Sequence, residues 1–234
     1  MKAPRIVAVI QARMGSTRLP GKVLEPIGDR SLLAWTVAGV QAVPGLATVV
    51  VATTTEPRDD PLVEAAAALG TEVHRGPVFD VLTRCFDAVA PHAPDLVLRQ
   101  TADNPFPDPS VATAQVETLR AQGLDYVGIA GWPIGVAAEV CRMEAFTAAM
   151  DEATAAADRE HVTPYLTATP SGSESGPCRG PPRSRPGEIG GATPSIRGPT
   201  SSWRARWPTG SATGRPSASP SSRRSWRRSP SSRS

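Results

Sequence analysis

The chain of 234 residues is 40% hydrophobic, 20% charged and 5% aromatic, which suits one α/β domain with a sizeable core. Its formal charge of +3 joins two unlike pieces. Residues 1–170 carry 13 Lys and Arg against 20 Asp and Glu, whereas residues 171–234 carry 12 Arg against 2 Glu, and this excludes a uniformly basic nucleic-acid protein.

In chain order, Ile6–Ile10 is a short β-branched run of the kind expected for a strand buried on both faces. Helical spacing follows from Ser31 to Val43 (Leu32, Leu33, Trp35, Val40), closed by Pro44-Gly45. Thr48–Ala52 predicts a second strand, and Asp60-Pro61 starts a helix running through Leu69 to Gly70. A third strand at Glu72–His74 precedes a helix from Phe79 to Val89 with Asp80 in its first turn. Leu96–Leu98 lies in a fourth strand, Pro109–Gln122 in a helix ended by Gly123, and Asp125–Val127 in a fifth strand. A last helix covers Met143–Ala157. Repeated βα units predict a doubly wound, mostly parallel sheet covered by helices, in a domain of residues 1–170.

From Ser171 onward the chain has no Leu, Val, Met, Phe or Tyr, and Arg, Pro, Ser and Gly make up 48 of its 64 residues. Such a segment cannot bury enough apolar area to offset its ordering entropy, so residues 171–234 are expected to form a disordered tail. No apolar run is long enough to span a bilayer, and Ile6–Ile10 is too short for a signal-peptide core. Cys85, Cys141 and Cys178 form no Cys-x-x-Cys pair, so a reducing cytoplasm is the expected compartment.

The most informative stretch follows the first strand: Gln11-Ala12-Arg13-Met14-Gly15-Ser16-Thr17-Arg18-Leu19-Pro20-Gly21-Lys22. A loop at the carboxyl end of a central strand is where open α/β sheets bind ligands. Two glycines, two hydroxyls and three cations are the parts that hold a triphosphate, with backbone N–H groups lining it and Arg and Lys offsetting its charge. The pattern is neither Gly-x-x-x-x-Gly-Lys-[Ser/Thr] nor Gly-x-Gly-x-x-Gly, so the common phosphate-loop and dinucleotide readings fail. Asp103, just past the fourth strand on the same sheet edge, is a hard carboxylate suited to Mg²⁺, or else the side chain of an Asx turn or helix cap. Arg99 could face a ligand carboxylate or pair with Asp103. His74 and His161 are equally compatible with structural and ligand-contacting roles.

At the loop of residues 11–22 the chain closely resembles the cytidylyltransferases that make CMP-activated acidic sugars. The nearest branch is the spore-coat polysaccharide F family, related to the CMP-3-deoxy-manno-octulosonate synthetases. The resemblance continues through Val49–Thr54 with Asp59-Asp60-Pro61, and through Val73-His74-Arg75-Gly76 with Asp80-Val81-Leu82. It extends to Arg99–Pro105 with Asp108-Pro109, and to Arg159-Glu160-His161-Val162-Thr163-Pro164-Tyr165. It implies a nucleotidyltransferase of the nucleotide-diphospho-sugar transferase type, moving CMP from CTP to a sugar with release of pyrophosphate. Ala12, Arg13, Gly15, Ser16, Arg18 and Lys22 would bind the nucleotide. Lys22, Arg13 and Asp103 would be catalytic, with Asp103 holding Mg²⁺, and Arg99, Glu139 and His161 would contact the sugar. Ala137 stands where the family tends to place an Asp two residues before Glu139. The implied setting is polysaccharide or spore-coat biosynthesis. CTP and a sugar are the expected partners, with a homodimer allowed and neither membrane nor nucleic acid expected. The open alternatives are a transferase for a sugar 1-phosphate or another base, and a non-enzymatic binder gripping RNA with its Arg-rich tail.

The resemblance stops near residue 170, where the family continues with a strand and helix bearing Thr-Val-Asp-Thr and then Asp-Leu, the first Asp being implicated in its metal site. A shifted reading frame, natural or from a sequencing error, is the expected cause of the break. Back-translating from Ile189, the third base of each codon with the first two of the next permits Tyr-Thr-Val-Asp-Thr-Arg-Ala-Asp-Leu. The chain as written is therefore expected to lack one metal carboxylate and to be weakly active or inactive.

Overall fold

In the computed structural model, residues 3–16, 18–128 and 135–168 are described. The expected disordered tail, Cys178 and the shifted-frame segment lie outside the described residues. The elements in chain order are β1 (Ile6–Gln11), β2 (Pro26–Ile27), β3 (Arg30–Ser31), α1 (Leu32–Gln41), β4 (Leu46–Thr54) and α2 (Asp60–Ala68). They continue with β5 (Glu72–Gly76), α3 (Val81–Val89), β6 (Leu96–Thr101), α4 (Pro109–Gln122), β7 (Tyr126–Val127), β8 (Glu139–Arg142), α5 (Met143–Glu152), α6 (Ala156–His161) and α7 (Pro164–Ala168).

One six-stranded sheet runs in the order β5-β4-β1-β6-β8-β7. The first four strands are parallel, and β8 is antiparallel to both β6 and β7. β1 is central, and Val7, Ala8, Val9 and Ile10 have no exposed surface, as a fully apolar strand requires. Alternate residues feed two cores. Ala8 and Ile10 join Leu33, Val37, Leu62, Val116 and Leu119 on the face covered by α1, α2 and α4. Val7 and Val9 join Leu82, Cys85, Phe146 and Ala149 on the face covered by α3 and α5. This is the doubly wound α/β arrangement.

The chain leaves β1 toward β4 and β5, then returns to β6 on the other side of β1. Gln11 pairs with Ala52 of β4 and with Thr101 of β6, so these strands reach the same edge level. The loops after β1 and β6 therefore open side by side at the point where the strand order reverses, where such sheets form ligand crevices.

Two expected helix boundaries need correction. The helix expected from Phe79 begins at Val81, because the Asp80 carboxylate accepts from the Thr83 N–H and acts as the cap. The helix expected over Met143–Ala157 ends at Glu152, and α6 folds back from it. Arg159 donates to the Met150 carbonyl (2.9 Å), so a cation sits at the carboxyl end of α5. Strand β8 has no local signature in the sequence. Its four residues begin and end with Glu139 and Arg142, and their polar partners come from distant segments.

Candidate active site

The loop after β1 closes on itself. The Met14 carbonyl accepts from the N–H groups of Ser16 and Gly21, each at 2.8 Å. The loop is also anchored from outside, because the Met14 N–H donates to Asp59 Oδ1 at 2.7 Å. Asp59 is 1% exposed, and its other oxygen accepts from the Thr54 N–H (3.2 Å) and the Thr54 hydroxyl. Burial pushes this carboxyl up, but the donated hydrogen bonds outweigh it and hold the group below the usual carboxylate range. One buried anion thus ties the loop to the end of β4.

Lys22 Nζ donates to Asp103 Oδ2 at 3.0 Å, joining the loops after β1 and β6 across the crevice. Burial also acts upward on Asp103. Hydrogen bonds from Thr101 and Lys22, with the Lys22 charge, prevail and keep it ionised.

Between the loops lies a cavity of about 510 Å³, lined by Ala12, Arg13, Ser16, Arg18, Lys22, Asp103 and His161 among the residues singled out from sequence. Gln11, Val78, Phe79, Val81, Arg84, Thr101 and Glu160 also line it. The size suits a nucleotide-scale ligand. Gly15 does not face this cavity. With Met14, Ser16, Pro20 and Gly21 it lines a neighbouring hollow under Arg58.

Arg99 does not pair with Asp103 and is not itself in the cavity lining. Its Nη1 meets Glu139, while Nε and Nη2 donate to Gln11 Oε1 at 3.1 and 2.6 Å. Glu139 in turn accepts from the hydroxyls of Tyr126 (2.9 Å) and Thr163 (2.8 Å). Arg99 and Glu139 therefore form a buried network behind Gln11 rather than part of the cavity lining. Burial, with the Glu139 charge, pushes the Tyr126 phenol far up, so it stays a donor.

His161 is carried over the cavity by α6. Arg159 holds that helix to α3, donating from Nε and Nη2 to Asp80 Oδ2 at 3.1 and 2.7 Å. After His161 the chain turns at Val162 (φ 72°, ψ −50°), with the Thr163 N–H donating to the His161 carbonyl at 2.8 Å. This is a γ-turn of the rare positive-φ kind, and it is costly for a β-branched residue. It aims Thr163 at Glu139 and leaves His161 at the cavity. His74, on β5, is not in the lining.

Sequence reasoning missed Asp59 as an anchor and Arg84 as a lining residue. Asp59 read as the start of α2, and Arg84 as one residue of an amphipathic helix. Only the fold brings them to the loop.

The cytidylyltransferase family profile matches residues 7–176. This chain is a member of the cytidylyltransferase family. It is 35% identical over 171 residues to the Bacillus subtilis spore coat polysaccharide biosynthesis protein SpsF, covering 71% of each. It is 37% identical over 139 residues to the 3-deoxy-manno-octulosonate cytidylyltransferase of Synechococcus elongatus, covering 55% of this chain and 52% of that one. Among solved structures it resembles a cytidylyltransferase from Leptospira borgpetersenii, with a TM-score of 0.65 and 31% identity over 70% of this chain and 71% of that one. The protein is thus a nucleotidyltransferase enzyme. Among its described residues no helix is long and apolar enough to cross a membrane.

Proposed function

We propose that this cytidylyltransferase moves the CMP group of CTP to an acidic sugar, releasing pyrophosphate, in the assembly of a surface or spore-coat polysaccharide. The observation that carries the reading is the Lys22–Asp103 pair at 3.0 Å, on the edge where the loops after β1 and β6 meet. A sugar hydroxyl forms the new bond to the α-phosphorus, and the bond from that phosphorus to the pyrophosphate oxygen breaks. Arg13, Arg18 and Lys22 hold the phosphates in line and offset the charge that shifts onto the leaving group. The N–H groups of Ala12 and Ser16 are already given to the Ala52 and Met14 carbonyls, so the cradle is built from side chains, with the Ser16 side chain beside the three cations. His161, at the cavity wall, is positioned to contact the sugar. Arg99 and Glu139, assigned to the sugar from sequence, act here by fixing Gln11 in the cavity floor.

The donor set fits Mg²⁺. Asp103 is ionised and opens on the cavity, and among the described residues no three His, Cys, Asp or Glu side chains converge into a metal cage. The ion would be shared between Asp103 and the triphosphate, which is the usual mode for Mg²⁺. When bound it neutralises phosphate charge.

The test is pyrophosphate release across the four ribonucleoside triphosphates, with sugar acids and sugar 1-phosphates as acceptors. CTP with a sugar acid is expected to give the highest turnover, and EDTA to abolish it. Lys22→Ala should lower kcat by about 10²–10³-fold, as loss of a preorganised charge contact does. Unchanged turnover in that variant, or full activity in EDTA, sinks the mechanism. Preference for a sugar 1-phosphate sinks the substrate assignment alone.

A further inference from the structure

Arg84 is an enclosed cation with no ion-pair partner among the described residues. It is 2% exposed, sits on α3 and lines the cavity. Its Nη1 donates to the carbonyls of Pro77 (2.6 Å) and Val78 (3.3 Å). Its Nε is buried with no partner among the described residues, and no carboxylate there pairs with it. An unfilled buried donor on a charged group is costly, and natural structures keep such groups where something else completes them. A Cβ at Gly76 would lie 3.0 Å from Arg84 Cγ and 3.3 Å from its Cα, so the bare backbone at the end of β5 packs closely against the arginine stem. Burial works against the guanidinium charge, the Arg13 cation adds to this and the carboxylates of Asp59 and Asp80 offset it only in part, so an oxyanion in the cavity that both arginines line relieves both.

We infer that Arg84 is an oxyanion receptor of the active-site cavity, taking a phosphate or carboxylate oxygen of a substrate on its open donor edge. This rests on the proposed transferase reading and deepens it. A guanidinium presents two parallel donors to such a group, which a lysine at the same place cannot do. The carbonyls of Pro77 and Val78 hold the ring of donors in one orientation beforehand.

The experiment is calorimetric titration of the full chain and its Arg84→Met variant with CTP, cytidine, inorganic pyrophosphate and 3-deoxy-manno-octulosonate. Methionine keeps the stem against Gly76 and removes the donors. If the oxyanion is a phosphate, CTP and pyrophosphate weaken by about tenfold or more while cytidine stays within about twofold. If it is a carboxylate, CTP holds and the sugar Kd rises by a similar factor. Equal losses for CTP and cytidine, or no change in any of these quantities, overturn the inference. A merely structural arginine lowers the melting temperature without separating CTP from cytidine. Arg84→Gln, which can still donate to the carbonyls of Pro77 and Val78, supplies the same readings if the methionine variant does not fold. A wild-type chain that binds another triphosphate in place of CTP overturns the cytidine assignment, and Arg84 is then read on that triphosphate against its own nucleoside.

Discussion

The two oxygens of Asp59 both face donors: the Met14 N–H on one side, and the N–H and hydroxyl of Thr54 on the other. Asparagine has one acceptor oxygen and one NH₂, so either orientation of Asp59→Asn sets an NH₂ against an N–H. The expected cost is about 2–4 kcal/mol of stability, from one or two buried groups left unpaired. The loop that carries Arg13 and Lys22 loosens with it, so KM for CTP should rise. Thermal melting and initial-rate kinetics check both, and an asparagine variant with wild-type melting and KM contradicts the anchoring role. Asp59, Asp80 and Asp103 all sit below the usual carboxylate range. A depressed folded pKa contributes stability that is complete above the unfolded value, roughly 3.9. That stability is lost as pH falls through the folded values. Melting temperature should therefore be insensitive to these groups between neutrality and about pH 5, and should drop below about pH 4. A decline already complete near pH 5 would assign acid unfolding to other groups.

Helix α1 meets the Asp103 loop at Gly39, where a Cβ would lie 2.7 Å from the Pro107 carbonyl oxygen. Gly39→Ala must push that loop outward. Overpacking of this kind costs about 1–3 kcal/mol, and here it also displaces Asp103 from Lys22, so kcat should fall along with the melting temperature. An alanine variant of unchanged kcat would show that the loop yields without moving the carboxylate. Elements of this size differ in how far their sequence reveals them. β1 and α1 are legible because the information is local: an unbroken β-branched run, and a Ser31 side chain that accepts the Ala34 N–H. β8 is not legible, since Glu139 and Arg142 look like loop residues until Arg99, Tyr126 and the Leu124 carbonyl supply their partners. The break between α5 and α6 escapes for the same reason. Arg159 is an ordinary helix residue in sequence, and only the fold places Asp80 and Met150 within its reach.

At the scale of the whole molecule, the level ends of β1 and β6 follow from patterns that sequence displays, so the crevice and the Lys22 and Asp103 loops were legible together. The buried network behind it was not. Arg99 carries the same chemistry whether it faces a ligand or Glu139, and only three-dimensional packing decides. The change of composition at residue 171 has its own consequence for activity. We propose that restoring the alternative frame from that point, so that a second acidic residue follows Thr-Val, raises CTP-dependent pyrophosphate release by about tenfold or more over this exact chain. The same change should raise the melting temperature. Robust release by the chain as written, matched by the restored version, would refute the shifted-frame account.

Gln11 closes the floor of the cavity with an amide whose two ends differ in what they offer. Both Arg99 N–H groups reaching it are donors, so its oxygen has to turn inward and its NH₂ is left for the cavity. The buried Arg99–Glu139 pair therefore sets the polarity of a surface it never touches. Whatever docks there meets a hydrogen-bond donor, and meets it across the working pH range, because an amide does not titrate. A carboxylate in that place would invert its preference on protonation, whereas this floor selects for acceptor atoms alone.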